Sequence, residues 1–464
     1  MLLFFILVYL VLNALVGVWA SSRVKNNTDY LLAGRRLPFP VATAVVFATW
    51  FGSETLLGAS SEFAEKGLLG IIEDPLGASL CLILIGFFFA KKLYRMNLLT
   101  FGTFYRVCYN RHTELIASFF LIISYFGWIA AQLVALGIIL NLVAGVALTT
   151  GIAIGFFIVV GYTFLGGMWS VSITDFLQTI LIIIGLLIVT VSVCLTIPFA
   201  QVKDTLPANF FQFYPTSTTK AEWLNYLAMW ITIGLGSIPQ QDVFQRVMAS
   251  KSEKVAVASS FAAGFMYLTV AIMPLVLALY AKVLHPELMV SDTQMLVPGL
   301  IMKQSSIGLK ILFFGALLSA IMSTASGAIL APAAILSENI LKPFFRQITD
   351  KHLLLLSRIS VLLVSVVSLG FALMRSNIYE LVSESSALSL VSLFVPMVAG
   401  IYLPRTTPAA AILSMIMGMG TWLIAIYLTS LVNPLMYGLG ASLLGLFLGW
   451  LFSKLNQNAL PIPD

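Results

Sequence analysis

The stretch ATWFGSETLLGASSEFAEKG, residues 48–67, sets a Gly-Ser pair, a tryptophan and two glutamates into a chain that is otherwise largely apolar. A second apolar run is interrupted in the same way, where residues 233–242 read IGLGSIPQQD. In a bilayer, unwound backbone survives only where protein or a cavity satisfies its polar groups. Carbonyls and half-helix ends freed by such a break can ligate a cation. The side chains at the breaks are the first candidates for holding a solute: Trp50, Ser53, Glu54 and Thr55 from one, and Ser237, Gln240 and Gln241 from the other. Trp128, in YFGWIAAQ, would add an aromatic wall, whereas Asp74, in IIEDPLG, and Asp242 read as acids near membrane ends. An aromatic face attracts an ammonium group by ~0.5–2 kcal/mol. Trp and Tyr also serve as simple interface anchors, and small residues also mark close helix packing. Asp175, in SITDFLQ, is an ionisable residue in a span and so a functional candidate; near a helix start, it would equally stabilise the dipole.

Other chemistries find little material. The three cysteines (Cys81, Cys108, Cys194) and three histidines (His112, His285, His352) are scattered, with no metal-ligand spacing. A membrane enzyme would need clustered His, Cys or paired carboxylates within the spans, and none is visible. The net charge of +6 comes from basic residues in loops, which is a topology signal and points to no nucleic-acid partner.

The elements that must position these residues follow from composition. The 464 residues are 60% hydrophobic and 9% charged, with a mean hydropathy of +1.01. Soluble domains carry roughly a quarter charged residues. The expected fold is an all-α polytopic membrane protein; long continuous apolar runs are unlike the short alternation of a transmembrane barrel. Thirteen apolar segments are predicted, at 2–20, 39–64, 69–92, 114–144, 148–166, 172–198, 223–241, 256–284, 306–337, 353–374, 380–402, 408–430 and 434–454. The first has no basic residues before it and reads as a retained helix with its N-terminus outside. With that orientation, seventeen of the 25 Lys and Arg face the cytoplasm, Arg246 among them, seven face outside and Arg358 lies in a span. The bias places the C-terminus in the cytoplasm.

The two breaks fall in segments 2 and 7. An odd offset of five gives them opposite orientations, so that segments 2–6 and 7–11 form an inverted pair: 39–198 and 223–402, with an extra N-terminal helix at 2–20 and two C-terminal helices within 408–454. Discontinuous helices at matching positions of two halves point to a transporter site near the midplane.

DYLLAGRRLP (29–38), GGMWSVSITDFLQ (166–178), PQQDVFQRVMASKSEKVA (239–256) and SAIMSTASGAILA (319–331) together resemble the sodium:solute symporter family over essentially the whole chain. ATWFG and FFAK (88–91) resemble its choline transporter-like branch most. The resemblance implies a five-plus-five inverted-repeat, LeuT-like core. It also implies a sodium (Na+) site between segments 2 and 9, built from the carbonyls of Ala48, Phe51 and Ala320 and the hydroxyls of Ser323 and Thr324. Spacings of three and four put the last three on one helix face, although such hydroxyls often bond only their own i−4 carbonyl. The resemblance further makes Asp175 a possible second cation or coupling position. Gln240 departs from the branch, which carries an aromatic there, so a polar or zwitterionic solute such as an amino acid fits at least as well as a quaternary amine. Arg246 reads as a cytoplasmic anchor or a partner for an inner-gate acid.

The expected function is therefore sodium-coupled symport of a small polar organic solute by alternating access, in a lipid bilayer and with no obligate protein partner. A proton-coupled transporter on the same fold, using a carboxylate such as Asp175, is the alternative. Compact loops favour a bacterial inner membrane, and no signalling domain follows residue 454.

Overall fold

The computed structural model describes residues 1–216, 219–290, 292–345, 347–403, 405–428 and 433–458. Predicted segment 12 ends at positions 429–430, outside the described residues. The chain is helical almost throughout. Among the described residues ten helices are long and apolar enough to cross a membrane, and Phe39–Trp50 and Leu148–Gly161 are shorter apolar helices.

The principal helices are α1 (Leu2–Ser21), α2 (Phe39–Trp50), α3 (54–66), α4 (72–96), α5 (Arg111–Ala144), α6 (Leu148–Cys194), α7 (Lys220–Gly236), α8 (Gln241–Ala249), α9 (Glu253–Leu284), α10 (Ile307–Ile335), α11 (Asp350–Met374), α12 (Ile378–Tyr402), α13 (Pro408–Tyr427) and α14 (Pro434–Asn458). Their starts are written locally. Asn110, Ser252, Ser306, Thr349, Asn377 and Thr407 each accept a hydrogen bond from a backbone N–H of the first turn. Such caps satisfy donors that the helix leaves unpaired, for about 1 kcal/mol each. Gly145, with φ +68°, ends α5 in the left-handed conformation that glycine supplies without strain.

The predicted segments 2 and 7 are the discontinuous ones. α2 stops at Trp50 and α3 resumes at Glu54 in a widened, π-type turn. α7 stops at Gly236 and α8 resumes at Gln241. Predicted segments 5 and 6 instead form one helical element bent at Gly167, whose φ of +52° and ψ of −149° suit only glycine.

The two discontinuous helices run in opposite directions, and one stitch shows it. Leu37, just before α2, pairs with Ser250, just after α8, through Leu37 N to Ala249 O (3.1 Å) and Lys251 N to Leu37 O (2.9 Å). The entrance of one broken helix is thus tied to the exit of the other. α5, α6, α9, α10 and α12 pack around them, and every residue of α10 from Ser319 to Ile335 is buried. α1, α11, α13 and α14 carry exposed rows such as Leu362, Leu363, Val366 and Val367, suited to lipid.

Gly167→Ala places a Cβ 2.5 Å from the Tyr30 carbonyl oxygen in a glycine-only backbone conformation. The expected cost is about 1–3 kcal/mol from the backbone strain alone. It should lower the thermal midpoint of the purified protein; an unchanged midpoint would show that the bend relaxes freely.

Candidate functional site

The first break opens a cluster of oxygen atoms against α10. Phe51 leaves the helix with φ −86° and ψ 77°, while its N–H still donates to Phe47 O at 2.9 Å. From α10, Ser323 Oγ and Thr324 Oγ1 both reach the Ala48 carbonyl oxygen, at 3.0 and 3.1 Å. Ser323 Oγ also lies 2.5 Å from Asp175 Oδ1 on α6. A serine has one hydroxyl hydrogen, so it cannot serve both acceptors at once. Asp175 Oδ2, fully buried, has no hydrogen-bond partner. Four contacting oxygens, with Asp175 Oδ2 on the same carboxylate, therefore share two hydroxyl hydrogens. An acceptor-rich, buried cluster of this kind is what a hard cation coordinates. Ala320 is fully buried one turn earlier on α10, and Phe51 is fully buried against Phe47 and Tyr267.

Asp175 lies two turns past the Gly167 bend, beyond the first turn where a helix dipole acts. Its bond to Ser323 joins it to the same cluster, so the sequence reading of a dipole-stabilising acid does not account for its position.

A narrow cavity lies between the two breaks. Its wall includes Trp50, Glu54, Trp128, Ser237 and Gln240, five of the eight residues assigned to the solute from sequence. Ser53, Thr55 and Gln241 lie outside that wall. Ser53 N–H donates to Gln132 Oε1 (3.0 Å), the Thr55 and Tyr267 hydroxyls are 2.5 Å apart, and Gln241 Oε1 accepts from Phe101 N (2.6 Å). These three tie the breaks to neighbouring helices. Ser237 Oγ sits 2.9 Å from Ser386 Oγ, and Gln240 Nε2 donates to Ser389 Oγ at 3.3 Å.

Glu54 gains a definite position. Its carboxylate accepts from Trp128 Nε1 (3.2 Å) and Gln132 Nε2 (2.8 Å). The Gln132 amide thus serves both the unwound Ser53 backbone and the Glu54 side chain. Gly52 stands between the two sites: a Cβ there would fall 2.6 Å from Thr324 Oγ1 and 2.7 Å from Glu54 Oε2. The glycine is required by that double close approach.

Several residues escaped the sequence reading. Asp74, read as an acid near a membrane end, is buried on the cavity wall, in extended backbone (φ −137°, ψ 128°) inside the line of α4. Tyr267, Ser385 and Ser386 also line it. The signal for Asp74 was available, since an acid followed by proline inside an apolar run marks interrupted backbone. Arg246, assigned to the cytoplasmic face, is buried instead: Nε donates to Thr49 Oγ1 (3.0 Å) and Nη1 to Asp242 O (3.4 Å). The intact α8 carries it inward, where apolar counting cannot follow. Asp242 is held by Trp50 Nε1 (2.8 Å) and by the Tyr125 hydroxyl, which also accepts from Asp242 N (2.8 Å). Trp50 separates the main cavity from a second, smaller one lined by Asp242 and Arg246.

Tyr125→Phe removes both contacts to Asp242 and leaves a buried N–H and a carboxylate oxygen short of partners. The expected loss is about 1–3 kcal/mol, read as a lowered thermal midpoint. An unchanged midpoint would mean that Tyr125 does not hold the second break.

Comparisons with known proteins place this geometry. The model of the sodium:solute symporter family matches residues 30–418. The high affinity choline transporter 1 of Homo sapiens is 27% identical over 440 residues, covering 89% of this chain and 75% of that protein. The high-affinity proline transporter of Bacillus subtilis is 28% identical over 461 residues, covering 93% and 94%. A solved structure of a Na+-coupled sialic acid symporter, substrate-bound and outward-open, superposes with a TM-score of 0.83 at 19% identity, covering 97% of this chain and 98% of the other. A nucleobase-cation-symport-1 family transporter in a closed conformation gives a TM-score of 0.62 at 16% identity, covering 95% and 97%. The LeuT-like fold expected from sequence is thereby found, in an integral, multi-pass membrane protein. With its match extending over most of its length, the chain belongs to the sodium:solute symporter family.

Proposed function

We propose that this sodium-coupled symporter binds its ion in the oxygen cluster between α2 and α10 and its solute in the cavity between the two breaks. The observation that carries the ion site is the convergence of the Ser323 and Thr324 hydroxyls on Ala48 O, with Asp175 against Ser323. Ala48, Phe51 and Ala320 contribute carbonyls, Ser323 and Thr324 hydroxyls, and Asp175 provides a second cation or coupling position. The solute is a small polar organic molecule, an amino acid, a quaternary amine or similar; the choline and proline transport named for the relatives supports that size and nitrogen content.

The antiparallel course of the broken helices supports repeats at 39–198 and 223–402 in an arrangement of about thirteen spans, with the N-terminus outside and the C-terminus in the cytoplasm of a bacterial cell. Sodium entering from outside draws Ala48 and Thr324 together. Gly52, wedged between Thr324 and Glu54, transmits that tightening to the cavity wall. The inner exit runs past Trp50, Asp242 and Arg246. Sodium adds ~2.3 kcal/mol per charge per 100 mV to its concentration gradient. Coupling follows only if sodium prefers one conformation, since equal affinity for both shifts nothing.

Radiolabelled sodium should bind the purified protein saturably. The Ser323→Ala, Thr324→Ala double change should weaken that binding at least about tenfold, ~1.4 kcal/mol, in a protein that still folds. Undiminished binding would overturn the site. Uptake driven by a pH gradient alone, without sodium, would favour the proton-coupled alternative.

A further inference from the structure

Among the described residues, the cavity between the breaks presents two carboxylates and no basic side chain. Glu54 and Asp74 are 4% and 1% exposed, and every other wall residue is neutral. Glu54 is satisfied only by neutral donors, the Trp128 indole and the Gln132 amide. Asp74 Oδ1 accepts from the Tyr267 hydroxyl at 2.6 Å, while Asp74 Oδ2, buried at the wall, has no hydrogen-bond partner. A carboxylate oxygen buried without a donor costs several kcal/mol unless a donor or a positive charge meets it. Gln240 spends its amide N–H on Ser389, which leaves its carbonyl oxygen for an incoming donor. The remaining wall offers the aromatic surfaces of Trp50, Trp128 and Tyr267.

The wider charge distribution points the same way. Among the described residues around the breaks, Glu54, Asp74, Asp175 and Asp242 are buried against one buried guanidinium, that of Arg246, which lies beside Asp242 on the far side of Trp50. One sodium in the Asp175 cluster leaves the cavity itself still acidic. A solute carboxylate would meet two carboxylates there with nothing to pair it, whereas a cation is attracted by both acids and by the aromatic faces.

We infer that the solute is an organic ammonium cation that carries N–H donors, held by Asp74 and Glu54 with Gln240 accepting a further N–H. This inference rests on the symport reading above and, within its small polar organic solutes, selects a class other than the amino acid and quaternary amine named there. Full N-methylation would keep the charge but remove the donor that Asp74 Oδ2 lacks, so a primary amine is preferred over its quaternary counterpart. A zwitterion brings an unpaired carboxylate and is disfavoured.

Thermal unfolding of the purified, full-length protein tests this with three probes: ethanolamine, its trimethylated counterpart choline, and the zwitterion proline. At saturating sodium, ethanolamine should stabilise the wild type at a concentration at least about tenfold below choline, and proline should give no shift over the same range. Asp74→Asn and Glu54→Gln should each raise the half-saturating ethanolamine concentration about tenfold. Choline or proline acting at equal or lower concentration overturns the inference, as does the absence of any ethanolamine shift; in either case a stabilisation by sodium alone leaves the symport reading standing. If the variants do not fold, the ranking of the three probes on the wild type decides. An ethanolamine shift with no sodium shift would support the amine and count against the ion site.

Discussion

Backbone that leaves the helix inside a bilayer must have every exposed N–H and C=O met by something other than water. Much of the interior is organised around that requirement. At the first break, Gln132 meets the Ser53 N–H, Thr324 meets the Ala48 carbonyl, and the Tyr267 hydroxyl lies 3.0 Å from the Trp50 carbonyl, with Asp74 competing for its one hydrogen. At the second, the Tyr125 hydroxyl meets the Asp242 N–H. The partners come from three helices, so the breaks hold α5, α9 and α10 in register. Tyr267 also lines the cavity, and Ser323 and Thr324 belong to the oxygen cluster. Satisfying the broken backbone and building the sites are one construction.

That economy explains how two sites can be coupled at short range. Gly52 lies between Thr324 of the oxygen cluster and Glu54 of the cavity wall, with no room for a side chain. A change in the position of Thr324 reaches Glu54 through a single residue. Trp50 extends the chain in the other direction, since its indole joins the cavity to Asp242 and the buried Arg246. The excess of buried acid over base makes cations part of the interior's electrostatic balance, because an uncompensated buried charge costs several kcal/mol.

The all-helical membrane character and the location of both breaks were legible in the sequence, because long apolar runs interrupted by Gly-Ser and followed by polar residues stand out. Five of the eight proposed solute residues lie on the cavity wall; Trp50, Glu54, Ser237 and Gln240 do so because side chains flanking a break face the space it opens. Asp74 and Arg246 were misplaced. Apolar counting puts charged residues at membrane ends by default, and it cannot see that extended backbone at Asp74, or the entry of α8 into the interior, carries a charge to the centre. Tyr267, Ser385 and Ser386 sit on helices whose composition is ordinary, and only packing brings them to the cavity. The bond between Asp175 and Ser323 spans 148 positions and has no local signature.

The central claim is that sodium, by binding beside the first break, orders it. Hydrogen exchange of the backbone amides over residues 51–56, measured in sodium and in potassium at equal ionic strength, tests this most directly. The account requires slower exchange at these amides in sodium than in potassium, and loss of that difference when Ser323 and Thr324 are both alanine. Equal exchange in the two salts, in a protein that still binds sodium, would contradict it.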